Sequence, residues 1–424
     1  MATDVDVQYF THLNGLTLGN NWGDLIRLLD KALVTGVDFT QITAASIDAQ
    51  GDVHITLYAA HNAMLFQVVE LSGFAPTSLN QKYRIKGVPS VTELILKPHT
   101  AITETSIATT GTAKLASLGY DIIFRDISDV KRVYRAKNPT AQHPFIRVDE
   151  SLASDTGSYT STYIKSAMVG LLEHMEHIDD FENPDVLQLP FDPADPAKNW
   201  KILGTGLNVQ RGWSLWHWAW GVSPIWSINA SYPIVAGNRP FTVCGDADAF
   251  YFHTATTPSV PTSKFTYGCG LFESGLESDV IPNWFLSTTL AQRKASDGHS
   301  SSNLQGGFAF GLSDNTSRVF VTRYTPATHP DAHVPALPVM PDYQSGRSGF
   351  ASSGLMPCMS IPLKDNNNYL RGVFKHINYN AKSETINFTT QRLANNSMYA
   401  LDTLQVSSSE TGNGSVAYYL GELE

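Results

Sequence analysis

The clearest helical pattern of the chain lies near its start, in residues 21–36. Apolar side chains recur there at helical spacing and would share one face: Leu25, Leu28, Leu29, Ala32 and Leu33. Asn21 can cap the N-terminus, Asp24 suits the positive end of the helix dipole, and Gly36 can end the helix. The pattern predicts an amphipathic helix that packs on an apolar surface.

After residue 37 the pattern changes to short alternating runs separated by turn-forming residues. The predicted strands are 42–47, 53–58, 66–71, 82–88 and 93–97. Their regular spacing is typical of a small barrel or sandwich. Residues 102–118, rich in Thr, Ser and Ala, are interpreted as a linker or one edge strand. We therefore expect an N-terminal arm and amphipathic helix in 1–37 and a small β-barrel-like domain in 38–118.

The central region, residues 119–290, is expected to form an aromatic-rich β domain. The predicted strands are 145–148, 241–244 and 250–253. Residues 163–175 fit either a helix or a strand, and the β-rich surroundings favour the strand. Four prolines in 184–196 predict an extended surface loop.

The last region, residues 291–424, is rich in Ser, Asn, Gly and Pro and is expected to be a C-terminal β-rich domain. The predicted strands are 306–311, 317–324, 370–376, 385–390 and 416–420, and residues 411–414 predict a hairpin turn. The whole pattern indicates a mainly β fold of several small antiparallel barrels or sandwiches with one short N-terminal helix.

Composition agrees with this fold class. The 424 residues suit two or three domains, and the aromatic content of 11% favours strands. The charged content of 16% is low beside the roughly 25% of typical soluble proteins. A net charge of −10 argues against nucleic acid as a partner, because binding phosphates requires clustered Lys and Arg. The densest basic stretch, 131–135, is interpreted as a solvated face or a subunit contact.

The cysteines and the hydropathy pattern indicate in which cellular compartment the protein is made. Cys244, Cys269 and Cys358 are odd in number and lack metal-ligand spacing, so we expect reduced, buried thiols in a protein made in the cytosol. The acidic first residues contain no apolar segment of a secretory signal. No apolar run reaches the ~20 residues of a membrane span, so a membrane is not an expected partner.

Two histidine groups are candidates for metal binding. His174 and His177 would share one side of a helix, but the His-Glu-x-x-His spacing of zinc proteases is absent. His329, Asp331 and His333 could converge in an extended segment, but the prolines around them favour an exposed loop or a subunit contact. We therefore expect no metal and no cofactor.

Paired carboxylates raise the question of catalysis. Asp246 and Asp248 lie beside aromatic strands, Glu273 and Glu277 follow them, and glycosidases require two carboxyl groups. Asp246 is better interpreted as a turn residue that holds a hairpin. The chain contains no nucleophile elbow, phosphate loop or dinucleotide fingerprint. We predict that it is not an enzyme.

Tryptophan is concentrated in one block. Six of the eight tryptophans lie between residues 200 and 226. On a strand, those at 216, 218 and 220 would share one face. The block is interpreted as an aromatic core between two sheets, as an anchor to another protein or as a stacking platform for sugar. The candidate interface or sugar-stacking residues are Trp213, Trp216, Trp218, Trp220 and Trp226.

Several strings together resemble bacteriophage and prophage virion proteins. They are PFIRVD at 144–149, RPFTVCGDADAFYF at 239–252 and GDLIRLLDKALVTG at 23–36, with support from 66–73 and 79–85. The resemblance runs from about Trp22 to Ser287. It brings no catalytic residues that match positions in this chain.

The resemblance implies a structural role in a virion assembled in the host cytoplasm. Such proteins sit among tail and baseplate components, so the expected partners are other virion proteins and copies of the chain itself. A receptor- or polysaccharide-binding tail protein that contacts a host-surface glycan is one alternative. A capsid- or neck-associated protein is another.

Overall fold

The computed structural model defines a mainly β protein. It describes residues 2–152, 164–192, 194–203, 210–219, 234–255, 257–275, 282–291, 304–305, 319–322, 333–338, 358–365, 368–380, 386, 388–405 and 413–424. Within these ranges the strands form several antiparallel sheets, accompanied by one short α-helix near the N-terminus. The predicted fold class is confirmed.

The first part of the chain forms a seven-stranded sheet. Its elements are β1 (Gln8–Thr11), a 3₁₀ turn (His12–Asn14), α1 (Asp24–Leu29), a π-helical turn (Asp30–Thr35), β2 (Val37–Asp38), β3 (Ile42–Ile47), β4 (Val53–Leu57), β5 (Val68–Ser72), a 3₁₀ turn (Thr77–Leu79), β6 (Lys82–Ser90), β7 (Glu93–Pro98) and β8 (Thr112–Leu115). The sheet order is β2-β8-β5-β6-β7-β4-β3. The five strands predicted in this part are confirmed. Of the two alternatives for 102–118, a linker or an edge strand, the edge strand is wrong, because the strand there, β8, lies between β5 and the two-residue β2.

The predicted amphipathic helix is present, and Leu25, Leu28 and Leu29 are buried as expected. The helical stretch ends at Gly36, which has a positive φ of 72°. The predicted cap at Asn21 is wrong. Gly23 occupies the N-cap position without a side-chain bond, and a distant carboxyl group serves the free N–H groups of the first turn instead.

The central part forms a second antiparallel sheet. Its elements are β9 (Tyr120–Arg125), β10 (Lys131–Ala136), β11 (Phe145–Asp149), β12 (Lys165–Leu172), β13 (Gln188–Leu189), a 3₁₀ turn (Pro196–Asn199), β14 (Ile202–Leu203), β15 (Gln210–Arg211) and β16 (Ser214–Ala219). The sheet runs β16-β12-β11-β10-β9, with β13 beside β12, and β14 pairs with β15 separately. The strands predicted in 145–148 and 163–175 are confirmed. The surface loop predicted in 184–196 is wrong at β13, which is buried.

The rest of the chain builds the third and largest sheet. The strands of this part of the chain are β17 (Phe241–Gly245), β18 (Ala249–Ala255), β19 (Lys264–Leu271), β20 (Glu273–Ser274), β21 (Trp284–Ser287), β22 (Thr289–Ala291), β23 (Leu304–Gln305), β24 (Val319–Thr322), β25 (His333–Pro338), β26 (Cys358–Asp365), β27 (Leu370–Asn380), β28 (Thr390–Ala394), β29 (Ser397–Gln405) and β30 (Asn413–Glu422). β22 and β23 extend the second sheet beyond β16. The others join β1 in the order β1-β17-β18-β19-β21-β24-β25-β26-β27-β30-β29-β28, with β20 beside β27.

The strands predicted in 241–244, 250–253, 317–324, 370–376 and 416–420 are confirmed at least in their described parts. The prediction for 385–390 is wrong, since only Thr390 of its described residues is in a strand. Residues 306–311, 411 and 412 lie outside the described ranges, and Asn413 and Gly414 belong to β30 rather than to a turn. The domain boundaries stay predictions, although β1 and β17 join the N-terminal arm to the third sheet.

The arm also links the first sheet to the end of the chain. The side-chain amide of Gln8 donates to the carbonyl of Val68 at 2.8 Å and accepts from its N–H at 2.9 Å. The buried guanidinium of Arg84 donates to backbone carbonyl oxygens of Asp4, Val7, Phe66 and Leu420. These bonds hold the arm, the first sheet and β30 together.

Candidate functional site

The string at 239–252 forms the hairpin of β17 and β18, and Asp246 occupies its turn. One oxygen of Asp246 accepts the backbone N–H groups of Asp248 at 2.9 Å and Ala249 at 3.0 Å. Gly245 has a φ of 156°, and a Cβ there would meet the carbonyl of Ala249 at 2.1 Å. The interpretation of Asp246 as a turn residue is confirmed, and glycine is required beside it.

The other oxygen of Asp246 links the turn to β27. It lies 2.8 Å from Nε2 of His376. Burial opposes ionisation of Asp246, but the hydrogen bond and the charge of His376 outweigh this effect and lower its pKa. The carboxylate of this turn residue is therefore already engaged within the protein.

Asp248 links the same turn to the segment before β11 of the second sheet and to β27 of the third sheet. One oxygen accepts a hydrogen bond from Nε2 of His143 at 2.9 Å, and the other accepts from Nζ of Lys375 at 2.5 Å. Nδ1 of His143 accepts the backbone N–H of Thr140, which places the ring proton on Nε2. The bond from His143, then that from Lys375, holds the pKa of Asp248 well below its usual range, against the effect of burial.

The hydrogen-bonded cluster of Asp246, Asp248, His143, Lys375 and His376 is named here the hairpin cluster. His143 directly precedes the string at 144–149, so this cluster holds the residue before that string against the turn of the string at 239–252. A cavity of about 370 Å³ lies beside it. Its walls come from the arm, β6, the segment after β10 and the β17–β18 turn, and include Asp6, Lys82, Lys137, Asp246 and Asp248.

The third string joins the first through Glu150, which directly follows β11. Its two carboxyl oxygens accept the backbone N–H groups of Gly23 and of Ile26, the latter at 2.8 Å. Burial is complete and raises the pKa of Glu150 to about 8, although both hydrogen bonds oppose the shift. Arg239 donates to the carbonyl of Gly19 at 2.9 Å and so joins the second string to the segment before α1.

The tryptophan block lies partly in the core. Trp216 and Trp218 are fully buried. Trp216 stacks on Tyr267 at 6.0 Å between centroids, and its Nε1 donates to the carbonyl of Ser287 at 3.0 Å. Trp218 meets Trp22 edge-on at 5.9 Å. These contacts support the interpretation of Trp216 and Trp218 as an aromatic core.

The remaining candidates of that block have different surroundings. Trp213 is half-buried, meets Phe320 edge-on at 5.7 Å and carries the ammonium of Lys198 over its ring at 4.4 Å. Trp220 and Trp226 lie outside the described residues. An anchoring or sugar-stacking role for the block stays a prediction.

The basic stretch on β10 is used within the chain. Arg132 is buried, with Nε 3.2 Å from a carboxyl oxygen of Asp30. Lys131 pairs with Asp179 at 2.7 Å. The expectation of a solvated face or subunit contact is therefore wrong for Arg132, because its charge is compensated inside the fold.

The histidine candidates do not form a metal site where they are described. His174 and His177 are exposed and follow β12 instead of lying on a helix, and His174 lies 3.6 Å from Glu176. His329 and Asp331 lie outside the described residues, and His333 begins β25. In the described part of the chain no three His, Cys, Asp or Glu side chains are grouped to hold a metal.

The structure also gives the burial of the three cysteines and of Glu273. Cys244, Cys269 and Cys358 are free thiols; the first two are buried and the third is half-buried. Glu273 is exposed at the start of β20, and Glu277 is not among the described residues. None of the helices in the described ranges is long and apolar enough to cross a membrane.

Sequence reasoning missed a polar cluster in the third sheet. Lys264 contacts Asp402 at 2.5 Å, and Thr242 donates to the second oxygen of Asp402 at 2.8 Å. Burial opposes ionisation of Asp402, but Lys264 and His253 outweigh it and lower its pKa. A lysine and an aspartate inside otherwise apolar strands are the signal that could have located this cluster.

Comparisons with known proteins identify no family for this chain. No protein-family model matches the chain, and no curated protein sequence matches it significantly. Among solved structures it is similar to the Phage phi92 endosialidase, with a TM-score of 0.16 and 10% sequence identity. The similarity covers 91% of this chain and 52% of that chain, so the chain spans about half the length of the solved structure. A TM-score this low does not establish a shared fold.

Proposed function

We propose that the chain is a non-enzymatic structural component of a tailed bacteriophage particle, positioned in the tail or baseplate by protein–protein contacts. The observation that carries the proposal is the convergence of the three strings that resemble virion proteins. The residues that flank the string at 144–149 make the linking contacts: His143 before it bonds to Asp248 of the second string, and Glu150 after it bonds to Ile26 of the third. The three segments that resemble virion proteins are therefore held together in one part of the fold.

The state of the acidic pair supports a structural role. A glycosidase needs one carboxyl group to give up a proton and a second to act on the sugar. Asp246 is bonded to His376 and to its own turn, and Asp248 is bonded to His143 and Lys375. In these positions both carboxylates hold the hairpin to β27, and Asp248 also holds the third sheet to the segment before β11 of the second.

Exposed apolar side chains support assembly through protein contacts. Tyr58, directly after β4, is 78% exposed, and Val91 in the β6–β7 turn is 70% exposed. The N–H of His61 donates to the carbonyl of Val91 at 3.0 Å and fixes these two loops beside each other. Exposed apolar side chains on adjacent loops are a feature of contact surfaces when they form a continuous patch.

Purified particles provide the test. Quantitative mass spectrometry should detect the chain in several copies per particle, and cross-linking should join it to tail or baseplate proteins. Cross-links to capsid or neck proteins alone would overturn the tail placement. Absence from particles that are otherwise complete would overturn the structural role.

The glycan-binding alternative needs its own experiment. A glycan array with the purified chain should show no specific binding. Trp213 is the residue to substitute, because it is half-buried whereas Trp216 and Trp218 are fully buried. Specific binding that Trp213→Ala abolishes without loss of fold would favour the receptor-binding alternative.

A further inference from the structure

A lysine and an aspartate face each other inside the third sheet. Lys264 begins β19 and Asp402 lies in β29, 138 residues further along the chain. Both side chains are 0% exposed, and Nζ lies 2.5 Å from Oδ1. β19 and β29 are not neighbours in the sheet order, so the contact joins two parts of the sheet that face each other.

Hydrogen-bond donors surround both oxygens of Asp402. The N–H of Thr403 donates to Oδ1 at 2.8 Å, and the hydroxyl of Thr242 donates to Oδ2 at 2.8 Å. Nε2 of His253 lies 4.0 Å from Oδ2 and donates to the carbonyl of Thr403. Fixed donors of this kind stabilise the negative oxygen of a tetrahedral carbon.

We propose that Lys264 and Asp402 join through an intramolecular isopeptide bond between Nζ and Cγ. The ammonium first passes one proton to the carboxylate across their hydrogen bond, which gives an amine and a carboxylic acid. The amine then attacks Cγ, the N–C bond forms, and one carboxyl C–O bond breaks. Two of the three ammonium protons leave with that oxygen as one water, and the third stays on the amide nitrogen. The reaction needs no oxidant, reductant or further reactant.

Complete burial is the condition that permits this reaction. Lys264 and His253 favour the charged Asp402, but an apolar interior disfavours the charges themselves and so lowers the cost of converting the ion pair into the neutral pair that reacts. Holding the two groups in contact replaces a bimolecular encounter by a step within one molecule. Exclusion of bulk water also slows hydrolysis of the product.

Other lysine–aspartate contacts of the chain provide an internal comparison. Lys86 contacts Asp52 at 2.5 Å and Lys375 contacts Asp248 at 2.5 Å, but the two lysine side chains are 41% and 26% exposed. Water stabilises their charges, so we expect them to remain ion pairs. Across the described ranges, Lys264 with Asp402 is the lysine–aspartate pair in which both side chains are fully enclosed.

The bond would close a long covalent loop inside the third sheet. A cross-link between distant residues limits the conformations of the unfolded chain and so stabilises the fold, as disulfides do. It would do so without cysteine oxidation, which suits a protein whose described cysteines are free thiols. This inference goes beyond the proposed function and is independent of it.

Mass spectrometry of the purified full chain tests the proposal. The intact mass should be lower than the sequence mass by one water. Proteolysis should release one branched peptide that contains both Lys264 and Asp402. Lys264→Arg retains a positive charge beside Asp402 but lacks the nucleophilic amine, so it should have its full sequence mass. Lys86→Arg, at the exposed contact, should still show the loss of water.

A second variant tests the chemistry itself. In Asp402→Asn the same attack would release ammonia, so the mass should fall by one ammonia instead of one water. Wild-type protein with its full sequence mass, and with Lys264 and Asp402 in separate linear peptides, would overturn the proposal. That result rests on the wild-type chain alone and does not depend on the folding of any variant.

Discussion

The carboxyl group of Glu150 accepts the backbone N–H of Ile26 at 2.8 Å, although the two residues are 124 positions apart. Its other oxygen accepts the N–H of Gly23. The N-terminus of α1 is thus capped by a residue that follows β11, and the cap joins the helix to the second sheet.

Replacing this cap should destabilise the protein. Glu150→Gln places an amide NH₂ against one of the two backbone N–H groups, so we expect the free energy of unfolding to fall by about 1–3 kcal/mol. Urea unfolding monitored by circular dichroism measures the change. Glu182→Gln is the control, because Glu182 is exposed. Measured at about pH 4.5, where the Glu150 carboxyl keeps its full contribution, equal stability of the Glu150→Gln variant and wild type would contradict the capping role.

The same residue should give a distinct pH dependence. Burial raises the pKa of Glu150 from 4.5 to about 8, so the folded state retains a proton that the unfolded state releases between these values. Its contribution to stability is complete below about pH 4.5 and is lost as the pH rises through 8. In this window the contribution falls by about 1.4 kcal/mol per pH unit. Glu150→Gln should lack this component, and parallel pH profiles would contradict the assignment.

Asp248→Asn should weaken the junction at the hairpin cluster. It removes the charge that holds His143 and Lys375, and because Asp248 is partly exposed we expect a loss of only about 1 kcal/mol at neutral pH. The pKa of Asp248 is lowered in the fold, so its stabilisation is present above the unfolded-state pKa and is lost as the pH falls through the folded-state value. The stability difference from wild type should therefore shrink in acid.

Urea unfolding of both proteins at neutral and acidic pH makes this comparison. Asp185→Asn serves as the control, since Asp185 is exposed. A difference between Asp248→Asn and wild type that stays constant into strong acid would show that charge is not what Asp248 contributes.

Alanine substitutions in the tryptophan block should distinguish buried from half-buried rings by the stability that each one costs. Trp216→Ala removes a fully buried ring and leaves the carbonyl of Ser287 without its donor, so we expect a loss of about 3–5 kcal/mol. Trp213→Ala should cost clearly less, because that ring is half-buried. Denaturant unfolding measures both. Equal and small losses would contradict the placement of Trp216 in the core.

Local patterns explain which features the sequence predicts. The apolar face of α1 follows from helical spacing, and the strands of the first sheet follow from alternation between turn residues. The cap by Glu150 and the inner position of β8 depend on pairing between distant segments. Neither can be read from a short stretch of sequence.

The candidate site also combines features that the local sequence predicts with features that depend on contacts between distant residues. The turn role of Asp246 follows from its place beside Gly245 at the end of an apolar run. Its partner His376 is 130 residues away and follows from no local pattern. A two-residue period placed Trp216 and Trp218 on one face, but only the packed sheets determine that this face is buried.

Electron microscopy of particles that carry a label after Glu424 tests the central claim most directly. That residue is exposed, so a label there should not disturb the fold. The account predicts label density at symmetric positions on the tail or baseplate, in several copies per particle. Label confined to the capsid would contradict the placement, and unlabelled particles from cells that contain the labelled protein would contradict a structural role.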